Sequence, residues 1–245
     1  MTVKTAYAPG EPVWVDLGSP DVDASRAFYG ALFGWVAPPG LAEFGGYANF
    51  ELDGRKVAGL MSLMSPEQPP SWGCHVCTDD ADKTVALVEQ HGGTVVVPPM
   101  AVGELGTMAL CTDPRGALFG AWQPGRHIGS ELTGVEGTVQ WVELTAPSPA
   151  QAAQFYAPVF GWEVRVSEEY VELTLDGTSV AGVADPAQGT AGWIPYFQVS
   201  DVAAKTDQVL TLGGSLVLPY TEWPGGACTI VRDPHGATFG LMRAS

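Results

Sequence analysis

Positive charge is scarce in this chain. Eleven Lys and Arg stand against 27 Asp and Glu, for a net charge of −16. Such a surface repels phosphate backbones and argues against a nucleic-acid partner. It also keeps a protein in solution. Long apolar runs are missing too: no stretch approaches the roughly 18 residues that span a bilayer. The opening "MTVKTAYAPGEPVW" has no apolar run of the signal-peptide kind, so no membrane partner and a cytoplasmic location are expected. Cysteine is sparse. Four in 245 residues are too few for a disulfide framework. Gly and Pro, at 31 and 20, are plentiful and suit many short strands joined by tight turns. With 46% of residues hydrophobic there is material for a sizeable core, in one large domain or two of ordinary size.

The chain repeats itself. "WVDLGSPDVDASRAFYGALFGW" (Trp14–Trp35) lies over "WVELTAPSPAQAAQFYAPVFGW" (Trp141–Trp162). The match continues with "YANFELDGRKVAG" over "YVELTLDGTSVAG", with Trp72–Pro98 over Trp193–Pro219, and with "DPRGALFG" over "DPHGATFG". Two copies of one domain therefore fill nearly the whole chain. The expected division is a first domain over 8–123, a Gly-rich linker over 124–137 and a second domain over 138–245.

Each copy reads alike. A strand over Val13–Leu17 is followed by a helix capped by Ser19 or Asp21, with Ala24, Phe28 and Phe33 on its inner face. Gly34 suits a left-handed helix stop, and Trp35 starts the next strand. Tyr47, Asn49 and Glu51 alternate with Ala48, Phe50 and Leu52 before an Asp53-Gly54 turn. A second helix runs from about Asp80 to His91, and more strands follow. The repeated Phe-Tyr and Gly-Trp pairs glue a helix to a sheet and have no catalytic part.

This order of elements, with "FYxxxFGW" after the first strand and "DPxGxxFG" before the last, resembles the vicinal oxygen chelate superfamily. That group holds glyoxalases, extradiol dioxygenases and bleomycin-resistance proteins. The likeness is nearest to its tandem-domain, glyoxalase-like actinobacterial branch. The resemblance implies an α+β fold: two tandem glyoxalase-like domains, each of two βαβββ modules. Each would form a cup-shaped, mostly antiparallel sheet with its helices outside. Single-domain members pair to build their sites, so this chain is expected as a monomer or homodimer. Metal-dependent members carry His, Gln or Glu at four strand positions in the cup. Counted from the motifs, these fall at Trp14, Gly59, Gly73 and Gly120, and at Trp141, Gly182, Ile194 and Gly240. None of the eight side chains is a metal donor. No metal and no other cofactor is therefore expected, and the glycines would leave room where a metal would sit. The "CHVC" of Cys74–Cys77 lies in a predicted strand, where residues three apart face opposite ways. It reads as core rather than zinc site.

Residues two apart on a strand share a face. The first cup is therefore expected to be lined by Trp14, Asp16, Tyr47, Asn49, Glu51, His75, Cys77, Leu118 and Trp122. The second would be lined by Trp141, Glu143, Tyr170, Glu172, Tyr196, Gln198, Thr238 and Met242. Aromatic walls with a few polar groups make a small-molecule site. Two readings follow. One is metal-independent sequestration of a small, aromatic or planar molecule stacked on tryptophan, as in bleomycin-resistance proteins. The other is a metal-free lyase, isomerase or cyclase with Asp16 and His75, or Glu143 and Tyr196, as acid and base. A glyoxalase-like metalloenzyme is a third and weaker reading. His127 in the linker is placed to reach a cup rim.

Overall fold

A computed structural model describes residues 1–168, 170–186 and 192–244. In chain order the elements are β1 (Thr2–Val3), β2 (Pro12–Ser19), α1 (Val22–Phe33), β3 (Ala48–Leu52), β4 (Arg55–Ser62), β5 (Ser71–Cys77), α2 (Ala81–Gln90), β6 (Thr94–Ala101), β7 (Gly106–Thr112), β8 (Leu118–Pro124) and β9 (Leu132–Thr133). The second copy follows with β10 (Val139–Thr145), α3 (Pro149–Phe160), β11 (Glu163–Val166), β12 (Val171–Leu175), β13 (Thr178–Ala184), β14 (Gly192–Gln198), α4 (Val202–Thr211), β15 (Ser215–Trp223), β16 (Gly226–Arg232) and β17 (Thr238–Ala244). Of the two large sheets one has the order β3-β4-β2-β5-β8-β7-β6 and the other β11-β12-β13-β10-β14-β17-β16-β15, while β1 and β9 pair as a separate two-stranded ribbon. Each large sheet is built from one copy alone. Two modules meet edge to edge at the antiparallel pair of first strands, β2 with β5 and β10 with β14.

Local chemistry sets the helices. Asp21, not Ser19, caps α1 by accepting from Ala24 N–H, and Gly34 closes the helix at φ 73°. The buried stripe is Ser25, Phe28, Tyr29, Leu32 and Phe33. Ala24 is exposed instead of inward, because it sits on the capping turn rather than on the apolar stripe. Asp80 caps α2 at Lys83 N–H, and His91 ends it. The Asp53-Gly54 hairpin takes positive φ at both residues, 52° and 72°, matching the twist of its strands.

The helices lie outside the cups, on the sheet faces that turn toward each other where β5 meets β14; α1 packs against α4 and α2 against α3, and each helix keeps an exposed side. The repeated motifs are reciprocal partners there. Tyr29 of α1 donates to Asp233 Oδ2 in the second copy's "DPHG" turn at 3.0 Å, and Tyr156 of α3 donates to Asp113 Oδ2 in the first copy's "DPRG" turn at 3.1 Å. Trp35 Nε1 donates to Gly137 O at 3.0 Å, and Trp162 Nε1 to Gly10 O at 2.7 Å. Phe33 and Trp72 meet Phe197 at 5.2 Å between ring centres. One hydrophobic core runs through both copies, from Val15 and Leu17 to Phe239 and Leu241. The Phe-Tyr pair thus glues its helix to the other copy as well as to its own sheet.

Candidate functional site

Register builds the first cup. Asp16 on β2 lies between Gly59 of β4 and Gly73 of β5, while Trp14 faces His75, and His75 faces Gly120 of β8. Direct neighbours across strands share a face. Two rows result, Gly59–Asp16–Gly73 and Trp14–His75–Gly120. The glycines do not leave empty room. A Cβ on Gly73 would sit 2.6 Å from Asp16 Oδ1, and Cβ atoms on Gly59 and Gly120 would fall inside the space of the Tyr47 hydroxyl and the His75 ring. Longer side chains beside each glycine lie over it, which a count of strand positions does not show.

Those side chains are hydrogen-bonded into one chain. Trp14 Nε1–H donates to Tyr47 Oη at 2.7 Å, Tyr47 O–H donates to Asp16 Oδ2 at 3.3 Å, and His75 Nε2 lies 3.0 Å from the same oxygen. Burial pushes the His75 pKa down, but the charge and hydrogen bond of Asp16 outweigh it, and the net shift is upward. The imidazolium is favoured by the fold. Its stabilising effect is full below the ordinary histidine value and fades as pH rises through the raised one. Gly120→Ala should evict the imidazole from its place beside Asp16. We expect the His75 titration, followed by NMR, to fall below its wild-type value and stability to drop by about 1–3 kcal/mol. A His75 that titrates as in wild type would show that the ring does not rest on Gly120.

The second cup repeats the plan with different groups. Glu143 lies between Gly182 and Ile194, and Trp141–Tyr196–Gly240 form the other row. Trp141 Nε1–H donates to Tyr170 Oη at 3.0 Å; Tyr170 and Tyr196 donate to the two Glu143 oxygens at 2.6 and 2.8 Å. Glu143 is buried, which raises its pKa, and the two tyrosine bonds only partly offset this. Ile194, Tyr196, Val217 and Ile230 form the apolar bed, with Trp141, Cys228 and Met242 half-buried beside it.

The segment expected as a linker is a strap across the first cup. Gly125 and His127 amides donate to Leu105 O at 2.9 and 3.0 Å, and Ser130 N–H to Val13 O at 2.8 Å. Trp122 Nε1–H donates to His127 O at 2.8 Å. The His127 ring stands edge-on to Trp14 at 4.5 Å and to Trp122 at 5.5 Å. Tyr7, Val102, Leu105 and Met108 pack against Val13, Trp14, Cys77 and Trp122. Tyr7 O–H also holds the strap, at Ser130 O, 2.8 Å. The sequence carries no periodic signal for Tyr7 or Leu105; only a lone aromatic in a Gly/Pro-rich lead-in hinted at the first.

The remaining expected residues are less central. Asn49 lies across from Gly59, and Glu51 sits beyond a bulge opposite Lys56. Glu172 accepts from Ser179 Oγ at 2.6 Å. Leu118 is exposed at the start of β8, and Thr238 Oγ1 takes a hydrogen bond from Arg232 Nε at 3.3 Å. Gln198 pairs with Met242, and its Oε1 is buried with no hydrogen-bond partner among the described residues. Cys74 packs in the large core and Cys77 in the cup, on opposite faces of β5.

Known proteins share this plan. The glyoxalase/bleomycin resistance protein/dioxygenase family matches residues 12–120, and a glyoxalase-like domain matches 141–242. The anthracycline biosynthesis protein DnrV of Streptomyces peucetius is 36% identical over 97% of this chain and 94% of its own. The chain belongs to the glyoxalase/bleomycin resistance protein/dioxygenase superfamily. A second relative, the putative glyoxylase CFP32 of Mycobacterium tuberculosis, is 34% identical over 99% of this chain and 98% of its own. Among solved structures of the superfamily fold, a Mn(II)-bound glyoxalase from Novosphingobium aromaticivorans superposes with a TM-score of 0.69 at 16% identity, over 96% of this chain and 82% of that one. The 2,3-dioxygenase LapB from Pseudomonas sp. KL28 gives 0.69 at 14%, over 96% and 92%.

The positions where the superfamily resemblance puts metal ligands do not fit a divalent cation here. Five of the eight are glycines, and four of those, Gly59, Gly120, Gly182 and Gly240, lie under tyrosine or histidine side chains. Among the described residues no three His, Cys, Asp or Glu side chains converge to hold a metal. Nor, among them, is any helix long and apolar enough to cross a membrane. What the cups do offer is an aromatic wall and a carboxyl group, bonded to His75 and Tyr47 in one cup and to two tyrosines in the other.

Proposed function

We propose that this chain binds a small planar aromatic molecule without a metal, by sequestration in a tryptophan-walled cup, as a cytoplasmic monomer or homodimer. The observation that carries this reading is the replacement, in both copies, of metal-donor positions by glycines covered with Tyr or His side chains that are bonded to Asp16 or Glu143. Aromatic surface beside a buried carboxyl suits a flat ligand with a polar edge. The relative named for anthracycline biosynthesis supports a polycyclic ligand.

A second reading rests on one distance. His75 Nε2 and Asp16 Oδ2 are 3.0 Å apart, a pair able to move a proton on a bound substrate, as a metal-free lyase, isomerase or cyclase would require. One experiment separates the readings. Protein purified without chelator should hold less than about a tenth of an equivalent of zinc, nickel, iron or manganese. It should bind 1,4-dihydroxyanthraquinone and return it unchanged. Conversion of a polycyclic substrate that falls at least roughly 100-fold in Asp16→Asn, with binding kept, would favour the enzyme. Near-stoichiometric metal would overturn both readings and restore a glyoxalase.

A further inference from the structure

The two cups differ in what covers them. Over the first, the strap is fastened by backbone bonds to Leu105 and Val13, by the Trp122 indole and by the Tyr7 hydroxyl, and His127 fills the space between two tryptophans. Trp14, Cys77 and Trp122 are all buried as a result, at 6%, 3% and 7% exposure. Over the second, the counterparts Trp141, Gln198 and Met242 are each half-buried, and among the described residues no ring packs on Trp141. The β15–β16 hairpin leaves Trp223 39% exposed, where its counterpart Val102 is packed into the first cup. A shallow depression of about 240 Å³ along Arg165–Ser167, Tyr170 and Glu172 lies at the β11–β12 edge of the same sheet and meets this cup's hydrogen-bonded chain only at Tyr170, whose hydroxyl takes the Trp141 indole bond.

A polar mismatch points the same way. Gln198 shares a strand face with Tyr196, and its Oε1 is a buried acceptor without a donor among the described residues. Such an atom is costly unless something supplies a proton to it. Its counterpart Cys77 has no such deficit: its thiol reaches Tyr7 O at 3.7 Å.

We propose that the copies have divided their work: the first cup is a filled structural unit, and the second takes a planar aromatic ligand carrying an O–H or N–H donor that satisfies Gln198 Oε1. This rests on the binding reading above and adds which cup is used and which ligand group is read. Trp141 supplies the inner wall and Trp223 the mouth. Glu143 is held in place by two tyrosines, so Gln198 is the group with unused capacity.

Calorimetric titration of the full chain with 2-naphthol, and with 2-methoxynaphthalene as its donor-free analogue, tests this. We expect one site per chain, with the naphthol about tenfold tighter than the ether. Gln198→Leu should remove that tenfold difference and leave the ether's affinity unchanged, which also shows the variant is folded. Leu105→Ala, which touches only the first cup, should leave both affinities as they are. Two equal sites, or weakening by Leu105→Ala but not by Gln198→Leu, would overturn the division while leaving the binding reading standing. Binding of neither compound at millimolar concentration would overturn the binding reading, and the division with it.

Discussion

Asp233→Ala should lower the thermal midpoint of the whole chain by roughly 10 °C, the largest effect expected of any single substitution described above. Asp233 Oδ2 accepts from Tyr29 O–H of the other copy, and Oδ1 accepts from the His235 and Ala237 amides at 2.9 Å. Alanine strands three donors, the Tyr29 hydroxyl and the Ala237 amide in buried places and the His235 amide in a part-buried one. Each buried donor left unpaired costs about 1–3 kcal/mol, and partial relaxation brings the sum to about 3–5 kcal/mol. Tyr29→Phe should cost about 1–2 kcal/mol, since it leaves Trp72 Nε1, which donates to the Tyr29 oxygen at 3.0 Å, and one carboxylate oxygen unpaired. Because one core serves both copies, far-UV dichroism and tryptophan fluorescence should report a single shifted transition. Two separated transitions would mean that the copies fold as independent units and that the cross-bonds count for little.

Acid should release the strap before it unfolds the chain. Burial between Trp14 and Trp122, with Lys56 and His75 nearby, brings the His127 pKa down to about 4. A depressed histidine takes up its proton more readily when released, so docking of the strap is favoured above the ordinary value and weakens as pH falls toward 4. Across that window the loss amounts to about 3 kcal/mol at 1.36 kcal/mol per unit. Protection of the Gly125, His127 and Ser130 amides against hydrogen exchange should therefore fall between pH 7 and pH 4.5. His127→Gln should flatten that dependence. Protection independent of pH in wild type would show that His127 does not bear on docking. Glu143 has the opposite sign: its raised pKa makes the native state take the proton first, so acidification favours the folded second cup while it weakens docking of the strap.

Much of this was legible in the sequence, and the reason is periodicity. On each strand one cup-facing position, supplied by the superfamily resemblance, carries its neighbours two along: Trp14 carries Asp16, Gly73 carries His75, and the internal repeat extends both to Glu143 and Tyr196. The cap at Asp21, one of two candidates, and the stop at Gly34 were readable because single residue types satisfy helix ends. What was not readable depends on reach and on distance along the chain. Tyr47 and His75 cover glycines on neighbouring strands, so an apparent vacancy is a packed contact. The strap residues 125–130 have no repeating pattern, since their bonds go to backbone atoms of Leu105 and Val13. The pairing of Tyr29 with Asp233, 204 positions apart, has no local signature, even though both motifs stood out as repeats.

That reciprocity explains which parts of a duplicated gene can drift. The helix of each copy answers to a turn in the other, so a change in one "FYxxxFGW" must suit the opposite "DPxG", and the pair is locked. The cup side chains answer to neighbours in their own sheet and, in the first copy, to Tyr7 and the strap, none of which reaches the other copy's turn. His75 could become Tyr196, Gly73 could become Ile194, and Cys77 could become Gln198 without disturbing the join. A scaffold held by mutual obligation is free to hold two unlike interiors, so duplication here could yield specialisation rather than redundancy.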